Sequence, residues 1–555
     1  MATHPEPSLE ELLWTVRAAR EVLGEDMNIQ VPPNLSYDEF PRLLEAGIDD
    51  WGGVSPVTID HVNPEAPWPE IERLRSATEA GGHELAARLP IYPEYVAELE
   101  RWADARVARE IRLHADADGL ARVDRWAAGA EAPSPPFVNV NGRGPGTPVA
   151  ETLAKVREGV DLDEDDVTVL FRARGADFQA AVQAADRLRR EVCGDTVSYV
   201  VTRNINYTNV CYFRCGFCAF SKGKLAENLR GAPYLVPLDE IVRRCREAWD
   251  RGAVEVCLQG GIHPGFTGDY YAHVCEAIKR ELPDLHVHAF SALEIWQGAA
   301  TLGVSLAAYL QRLKDIGLAS LPGTAAEILD DEVRRVICPD KVTTAQWLRV
   351  HDQAHRVGLR STTTIMFGTV EGPRSWARHL LALRDQQKRT GGFTEFVPLP
   401  FVHMEAPIFL KGRARPGPTF REAVLMHTVG RLALHPWITN IQASWVKLGM
   451  DGAQTVLRAG ANDLGGTLMN ESISRAAGAA HGQEMPPERM EAAIRELGRT
   501  PRQRTTLYGV PAAERTRLSY GAPPLVEPLN PSVNDAHLRR PERLIRPGLS
   551  AGTRG

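Results

Sequence analysis

The residues best placed to do chemistry are three thiols in the run Asn209-Val210-Cys211-Tyr212-Phe213-Arg214-Cys215-Gly216-Phe217-Cys218. A Cys-x3-Cys-x2-Cys loop supplies three thiolates to an iron–sulfur cluster, and a four-iron cube held by three cysteines keeps one iron open to another ligand. An open iron turns an electron carrier into a catalyst. Two blander readings stand beside this one. A structural zinc site takes four ligands, usually from paired Cys-x2-Cys units, and no second pair lies nearby. The thiols could also be inert and buried. The other five cysteines, Cys193, Cys245, Cys257, Cys275 and Cys338, are scattered singly among apolar neighbours and read as core residues.

The elements that would position this loop follow a parallel pattern. The loop ends an extended, β-rich segment, Val197 to Tyr207. Further candidate strands are Val254 to Leu258, His286 to Phe290, Ala319 to Leu321, Ser361 to Phe367, Glu395 to Leu399, Thr439 to Ala443 and Asp463 to Thr467. Amphipathic stretches such as Leu238 to Arg251 and Ala345 to Val357 lie between them. Strands alternating with helices imply βα units, here closed into an α/β barrel whose chemistry sits on the loops after the strands. The cysteine loop then lies at the reactive face.

The 555 residues are enough for more than one domain. A hydrophobic fraction of 43% and a charged fraction of 24% are ordinary for a globular chain. With 71 acidic against 64 basic residues, a net charge of −7 and no basic block, neither nucleic acid nor an anionic membrane is an expected partner. No apolar run approaches ~18 residues, and glutamates stand near the N-terminus where a signal peptide would carry lysine, so the cytosol is the expected compartment. Pro/Gly-rich composition marks a linker at 129–160 and a disordered tail at 511–555.

An internal repeat adds a second domain. Asn28-Ile29-Gln30 followed by Ala46-Gly47-Ile48-Asp49-Asp50-Trp51-Gly52-Gly53 returns as Asn440-Ile441-Gln442 followed by Ala459-Gly460-Ala461-Asn462-Asp463-Leu464-Gly465-Gly466, at an offset differing by one residue. The second copy ends the barrel of 161–510. Residues 1–128, which hold no cysteine, are therefore expected to be the end of a second barrel that lacks its beginning. Such a part-barrel would pack on the other domain, recruit a partner, or reflect a mis-assigned start.

The cysteine spacing with Phe217 beside the last thiol resembles the radical S-adenosylmethionine (SAM) enzymes. The segments 204–224 (NINYTNVCYFRCGFCAFSKGK), Leu258 to Pro264, His286 to Ile295, Phe393 to Pro400 and Asn440 to Gly449 narrow this further. They resemble the deazaflavin-precursor (FO) synthases of coenzyme F420 biosynthesis, specifically the CofH-type half over roughly 160–510. The N-terminal segment is similar to the end of the CofG-type half.

The resemblance implies a radical SAM TIM-type (β/α) barrel with a partial second barrel at the N-terminus, a [4Fe-4S] cluster on Cys211, Cys215 and Cys218, and SAM. It implies a transferase that joins the 4-hydroxybenzyl group of L-tyrosine to 5-amino-6-(D-ribitylamino)uracil, with a 5'-deoxyadenosyl radical as initiator. A separate CofG-type protein would perform ring closure, and a cellular electron donor would reduce the cluster. For SAM it implies Phe217 beside the adenine and Gly260-Gly261 carbonyls at the amino group. Ser291, Glu294 and Glu327 are candidates for the ribose or methionine end, or else helix caps. His263, Glu371, His403, Glu405, Ser444, Lys447 and Glu471 stand on loops at the reactive face as candidate substrate contacts, or else as solvated or structural residues. Rival readings are an aminofutalosine synthase, a tyrosine lyase, a non-catalytic iron–sulfur protein, or an inactive chain.

Overall fold

The computed structural model describes residues 7–36, 39–55, 57–136, 146–221 and 232–532. Parts of the expected linker and tail, and residues 222–224 of the quoted cysteine segment, lie outside these. The chain divides into two compact units, Met1–Ala87 and Arg88–Gly555.

In the larger unit, β1 (Thr196–Val200) and β2 (Thr202–Asn206) form one run interrupted at Val201. There follow β3 (Glu255–Gln259), β4 (His286–Ala289), β5 (Leu318–Leu321), β6 (Arg360–Phe367), β7 (Phe393–Pro400), β8 (Asp463–Gly466) and β9 (Thr500–Arg504). β2 to β7 pair in sequence order, all parallel, as a curled half-barrel. β8, β1 and β9 form a second parallel sheet. Parallel bridges from Phe396 to Ile441 and from Gln442 to Asp463 run between β7 and β8. Every expected strand is therefore present, with Thr439 to Ala443 reduced to single bridges.

β-Branched residues explain the choice of strand: β6 reads Arg-Ser-Thr-Thr-Thr-Ile-Met-Phe and is buried along nearly its whole length, as a strand covered on both faces must be. Between the strands, helices begin at capping residues. Thr343 and Gln346 form a reciprocal capping box, as do Thr419 and Glu422. The helices Leu238–Asp250 and Thr344–Arg356 occupy the stretches expected.

Three boundaries differ from the sequence reading. Residues 88–128 belong to the larger unit rather than to an N-terminal domain ending at 128, because Asp116 pairs with Arg174 at 2.6 Å and with Arg421 at 3.4 Å, and Arg122 donates to the Gly417 carbonyl at 2.8 Å. The expected linker contains a helix, Pro148–Arg157, capped by Thr147. The expected tail forms the helix Ala513–Ser519 and then packs along Leu238–Asp250. There its backbone is satisfied by side chains: Arg244 donates to the Leu529 carbonyl at 2.7 Å, and Glu240 accepts the Leu529 N–H at 3.1 Å. Proline-rich backbone with little self-pairing can be ordered this way by charged partners.

The smaller unit holds the helices Leu9–Leu23, Phe40–Ala46 and Ile71–Ala80 around a core of Leu13, Phe40, Leu43, Trp51 and Leu74. A parallel bridge joins Gln30 to Asp50. Among the described residues no helix is long and apolar enough to cross a membrane.

Candidate functional site

The run β1–β2 delivers the chain to Thr208, whose hydroxyl accepts the Val210 N–H at 3.1 Å and whose carbonyl accepts the Gly261 N–H at 2.9 Å. The cysteine loop is then held from three sides. Tyr212 N–H donates to the Ile262 carbonyl at 3.2 Å, and Gly216 N–H donates to the Ile337 carbonyl at 2.8 Å. The Gly216 carbonyl accepts from Ile408 N–H at 2.7 Å, and Arg214 N–H meets the Asp340 carboxylate at 3.3 Å. Loops after β3, β5 and β7 thus fix a segment that has no secondary structure of its own.

All three thiols line one cavity of about 420 Å³, and all three are half-buried. Burial pushes the Cys211 thiol up to about 11 and raises Cys215 as well, in each case against the Lys341 charge. Among the described residues no group of three His, Cys, Asp or Glu side chains closes on a point that would hold a single metal ion. A four-iron cube presents its irons at separate corners, so three thiols that line one cavity, beside a cation that favours thiolate, fit that group.

Gly260 and Gly261 line the cavity, but their lack of a side chain serves the protein's own packing. A Cβ on Gly260 would stand 2.3 Å from the Tyr207 ring, and one on Gly261 would stand 2.3 Å from the Val210 carbonyl oxygen. Ser291 and Glu294 form a capping box at the start of Ala292–Leu302. The Glu294 carboxylate also accepts from the Tyr207 hydroxyl, and burial raises its pKa to about 7 against the hydrogen bonds of Ser291, Tyr207 and Gly260. Both residues line the cavity, so the cap and the wall are the same pair. Glu327 lines it too, at φ 46°, paired with Lys341 at 2.6 Å. Phe217 faces the cavity with the Lys341 ammonium 5.5 Å from its ring centroid.

The seven further candidates divide. Ser444, Lys447 and Glu471 line the cavity. Glu371 turns into its own loop, accepting backbone N–H groups of Gly368, Thr369 and Val370 and the Trp376 indole N–H. His263 accepts the Gly265 N–H at 3.0 Å in a turn, and His403 packs edge-on against Phe409 at 4.4 Å. These three and Glu405 are not among the described cavity-lining residues. The core reading holds for Cys245, Cys275 and Cys338, which are buried; Cys193 is only half-buried and Cys257 lines the cavity.

Lys341 was not singled out by the sequence, because it arrives on the loop after β5 in an unpatterned Cys338-Pro339-Asp340-Lys341 stretch. Burial works against its charge, yet Glu327 and the thiols of Cys215 and Cys338 outweigh it and raise its pKa. The cavity wall also carries the polar side chains of Asn204, His288, Thr364, Glu395, Gln442 and Arg504.

Residues 205–383 match the radical SAM superfamily, and residues 390–516 match the CofH/MqnC C-terminal region. A 5-amino-6-(D-ribitylamino)uracil–L-tyrosine 4-hydroxyphenyl transferase from Methanothermobacter thermautotrophicus is 45% identical over 347 residues, which cover 62% of this chain and 94% of that protein. The chain belongs to the radical SAM superfamily, in the family of CofH-type transferases. An FO synthase from Streptomyces coelicolor is 44% identical over 557 residues, covering 92% of this chain and 64% of that protein, and one from Mycobacterium tuberculosis is 44% identical over 559 residues, covering 92% and 65%. The chain thus spans about two-thirds of the length of these FO synthases, just below that fraction. Among solved structures, methylornithine synthase (PylB) aligns with a TM-score of 0.50 at 19% identity over 63% of this chain and 97% of its own. The hydrogenase maturase HydG aligns at 0.51 and 14% identity over 65% and 77%. These two neighbours share the overall fold of the chain.

Proposed function

We propose that this chain is a radical SAM transferase that joins the 4-hydroxybenzyl group of L-tyrosine to 5-amino-6-(D-ribitylamino)uracil, the first stage of FO formation. The observation that carries this reading is the 45% identity spread over 94% of a transferase of that reaction. Cys211, Cys215 and Cys218 would hold a [4Fe-4S] cluster, and Phe217, Gly260, Gly261, Ser291, Glu294 and Glu327 would line the SAM site. When bound, the cluster and SAM supply the one-electron chemistry that begins the reaction.

The chain's own residues orient and enclose. Lys341 holds positive charge beside the thiols while Glu327 fixes its position. The polar lining residues, Asn204, His288, Thr364 and Gln442 among them, offer hydrogen bonds suited to a polyol and a pyrimidine, and Phe213, Trp445 and Leu468 offer apolar surface for a phenol. The bridges through Ile441 and Gln442 are read as the stave that completes an eight-stranded barrel. Residues 7–87 are read as the end of a CofG-type barrel, so ring closure would need a separate CofG-type protein, and a cellular donor would supply electrons.

The test is anaerobic turnover of the reconstituted chain with SAM, dithionite and both substrates, analysed by mass spectrometry with and without a CofG-type protein. A 4-hydroxybenzyl adduct from this chain alone, carried on to FO only with the partner, is the expected result, and Cys215→Ala should lose both iron and product. 5'-Deoxyadenosine without adduct would replace the substrates. No 5'-deoxyadenosine from iron-loaded protein would overturn the assignment.

A further inference from the structure

We infer that Lys447, set by Ser474, is the seat for the α-carboxylate of the amino-acid substrate; this rests on the reading of L-tyrosine as that substrate. Lys447 stands in the first turn of the helix Trp445–Leu457 and lines the cavity. Its ammonium donates to Ser474 Oγ at 3.0 Å, and among the described residues it forms no ion pair. Glu471, the acid that faces it, is engaged instead with the Ser474 N–H at 2.8 Å and 3.1 Å and the Arg475 N–H at 3.4 Å.

The contrast with Lys341 is what makes Lys447 informative. Lys341 is neutralised by Glu327 at 2.6 Å, and its charged neighbours include Cys215. The neighbours of Lys447 are Glu471 and Glu327, with no thiol among them. Burial depresses the Lys447 pKa, and those two carboxylates only partly offset it. A cation kept in a cavity with its carboxylates only at a distance, and none in ion-pair contact among the described residues, is costly to the protein alone and is relieved by an anion that enters the cavity. An amino-acid carboxylate has the charge and the acceptor geometry to use both the ammonium and the neighbouring Ser474 hydroxyl. The apolar residues Trp445, Leu468 and Ile473 line the same cavity and suit an aromatic side chain.

Equilibrium dialysis of the reconstituted holoenzyme with SAM and no reductant tests the seat independently of turnover. The probes are labelled L-tyrosine, its decarboxylated analogue tyramine, and its deaminated analogue 3-(4-hydroxyphenyl)propanoate. Lys447→Met should weaken L-tyrosine and the propanoate on the order of 10- to 100-fold, the scale of a lost charge-assisted hydrogen bond. Tyramine and SAM affinity should be unchanged, and Lys447→Arg should recover part of the loss. Equal weakening of tyramine, a shift in SAM affinity, no change in L-tyrosine, or no L-tyrosine binding by the parent protein overturns the inference; circular dichroism and iron content keep misfolding apart from these. Selective binding with no adduct in turnover would leave the seat standing and sink the reaction assigned above.

Discussion

Residues 20–52 and 431–465 are built alike and situated differently. In the first, Arg20 donates to the carbonyls of Gly47 at 2.8 Å and Met27 at 2.7 Å and to the Asp49 carboxylate at 3.1 Å. In the second, Arg431 donates to the carbonyls of Gly460 at 2.9 Å and Thr439, and to Asn462 at 2.8 Å. Asp49 accepts the Ile29 N–H at 2.7 Å, and Asn462 accepts the Ile441 N–H at 2.9 Å. Gly52 and Gly465, at φ 72° and 76°, donate to Asp50 and Asp463. Yet Asp463 is fully buried and bonded to Arg504 at 2.6 Å and Ser198 at 2.6 Å, whereas Asp50 is half-buried and Asp49 exposed. Local sequence writes the same unit twice, two segments joined by a parallel bridge across an intervening helix; its surroundings decide how much each bond is worth.

The sharpest way to break this comparison is to remove the paired aspartates. Asp463→Ala removes one of the two carboxylates that hold the buried Arg504, leaving Glu395 at 3.0 Å, and also takes the Ser198 hydroxyl's acceptor. It is expected to cost about 3 kcal/mol, against about 1 kcal/mol or less for Asp50→Ala in its wetter setting. Denaturant unfolding reports the first, and hydrogen exchange at the Gly52 amide the second. Equal costs would mean that burial is not what separates the copies.

Arg431→Ala removes three hydrogen bonds made by a buried guanidinium, among them the one to the buried Gly460 carbonyl, and should cost about 3 kcal/mol, while Arg20→Ala, where water can reach, should cost about 1 kcal/mol. The same unfolding and exchange measurements rank them.

The copies also differ in what they titrate. His427, on Phe420–Leu434, is fully buried, and burial lowers its pKa to about 4 against backbone bonds to Ala423 and Gln442; Val16 holds the matching place on Leu9–Leu23. Because the folded pKa lies below the unfolded value of about 6.5, the unfolded chain binds more protons between them, so stability present above that value is lost as pH falls toward 4. The loss from this residue is up to about 3 kcal/mol at pH 4. His427→Val should flatten the stability profile between pH 6.5 and 4; an unchanged slope would assign the acid sensitivity to His286, His355 and His379, which burial likewise lowers.

The smallest effect is the one that should be the same in both places. Gly52→Ala and Gly465→Ala each put a side chain at positive φ, costing about 1–2 kcal/mol. Matching losses would show the shared part of the unit to be local, and a larger loss at Gly465 would show that packing enters there too.

What was legible without coordinates shares this locality. The spacing of Cys211, Cys215 and Cys218, the strand runs and the repeated Asn-Ile-Gln unit are carried by neighbours in the chain, so their residue types suffice. Glu371 and His403 were placed on the right loops, but a loop position does not set a direction: one carboxylate is consumed by its own backbone and one ring by Phe409. The tail read as disordered because its composition favours no helix or strand; the Arg244 and Glu240 side chains that order residues near 529 lie far away in sequence.

The sequence by itself determined the thiol loop, the alternation of strand and helix, and the family, because spacing and local propensity are properties of short segments. Only the tertiary structure decided that Lys341 stands beside the thiols with Glu327 as its partner, that Ser291 and Glu294 are a cap and a cavity wall at once, and that Lys447 keeps an ammonium in the cavity without an ion pair among the described residues. Those outcomes depend on which distant side chains share one cavity, and the cost or use of a charge depends on how far it is removed from bulk water.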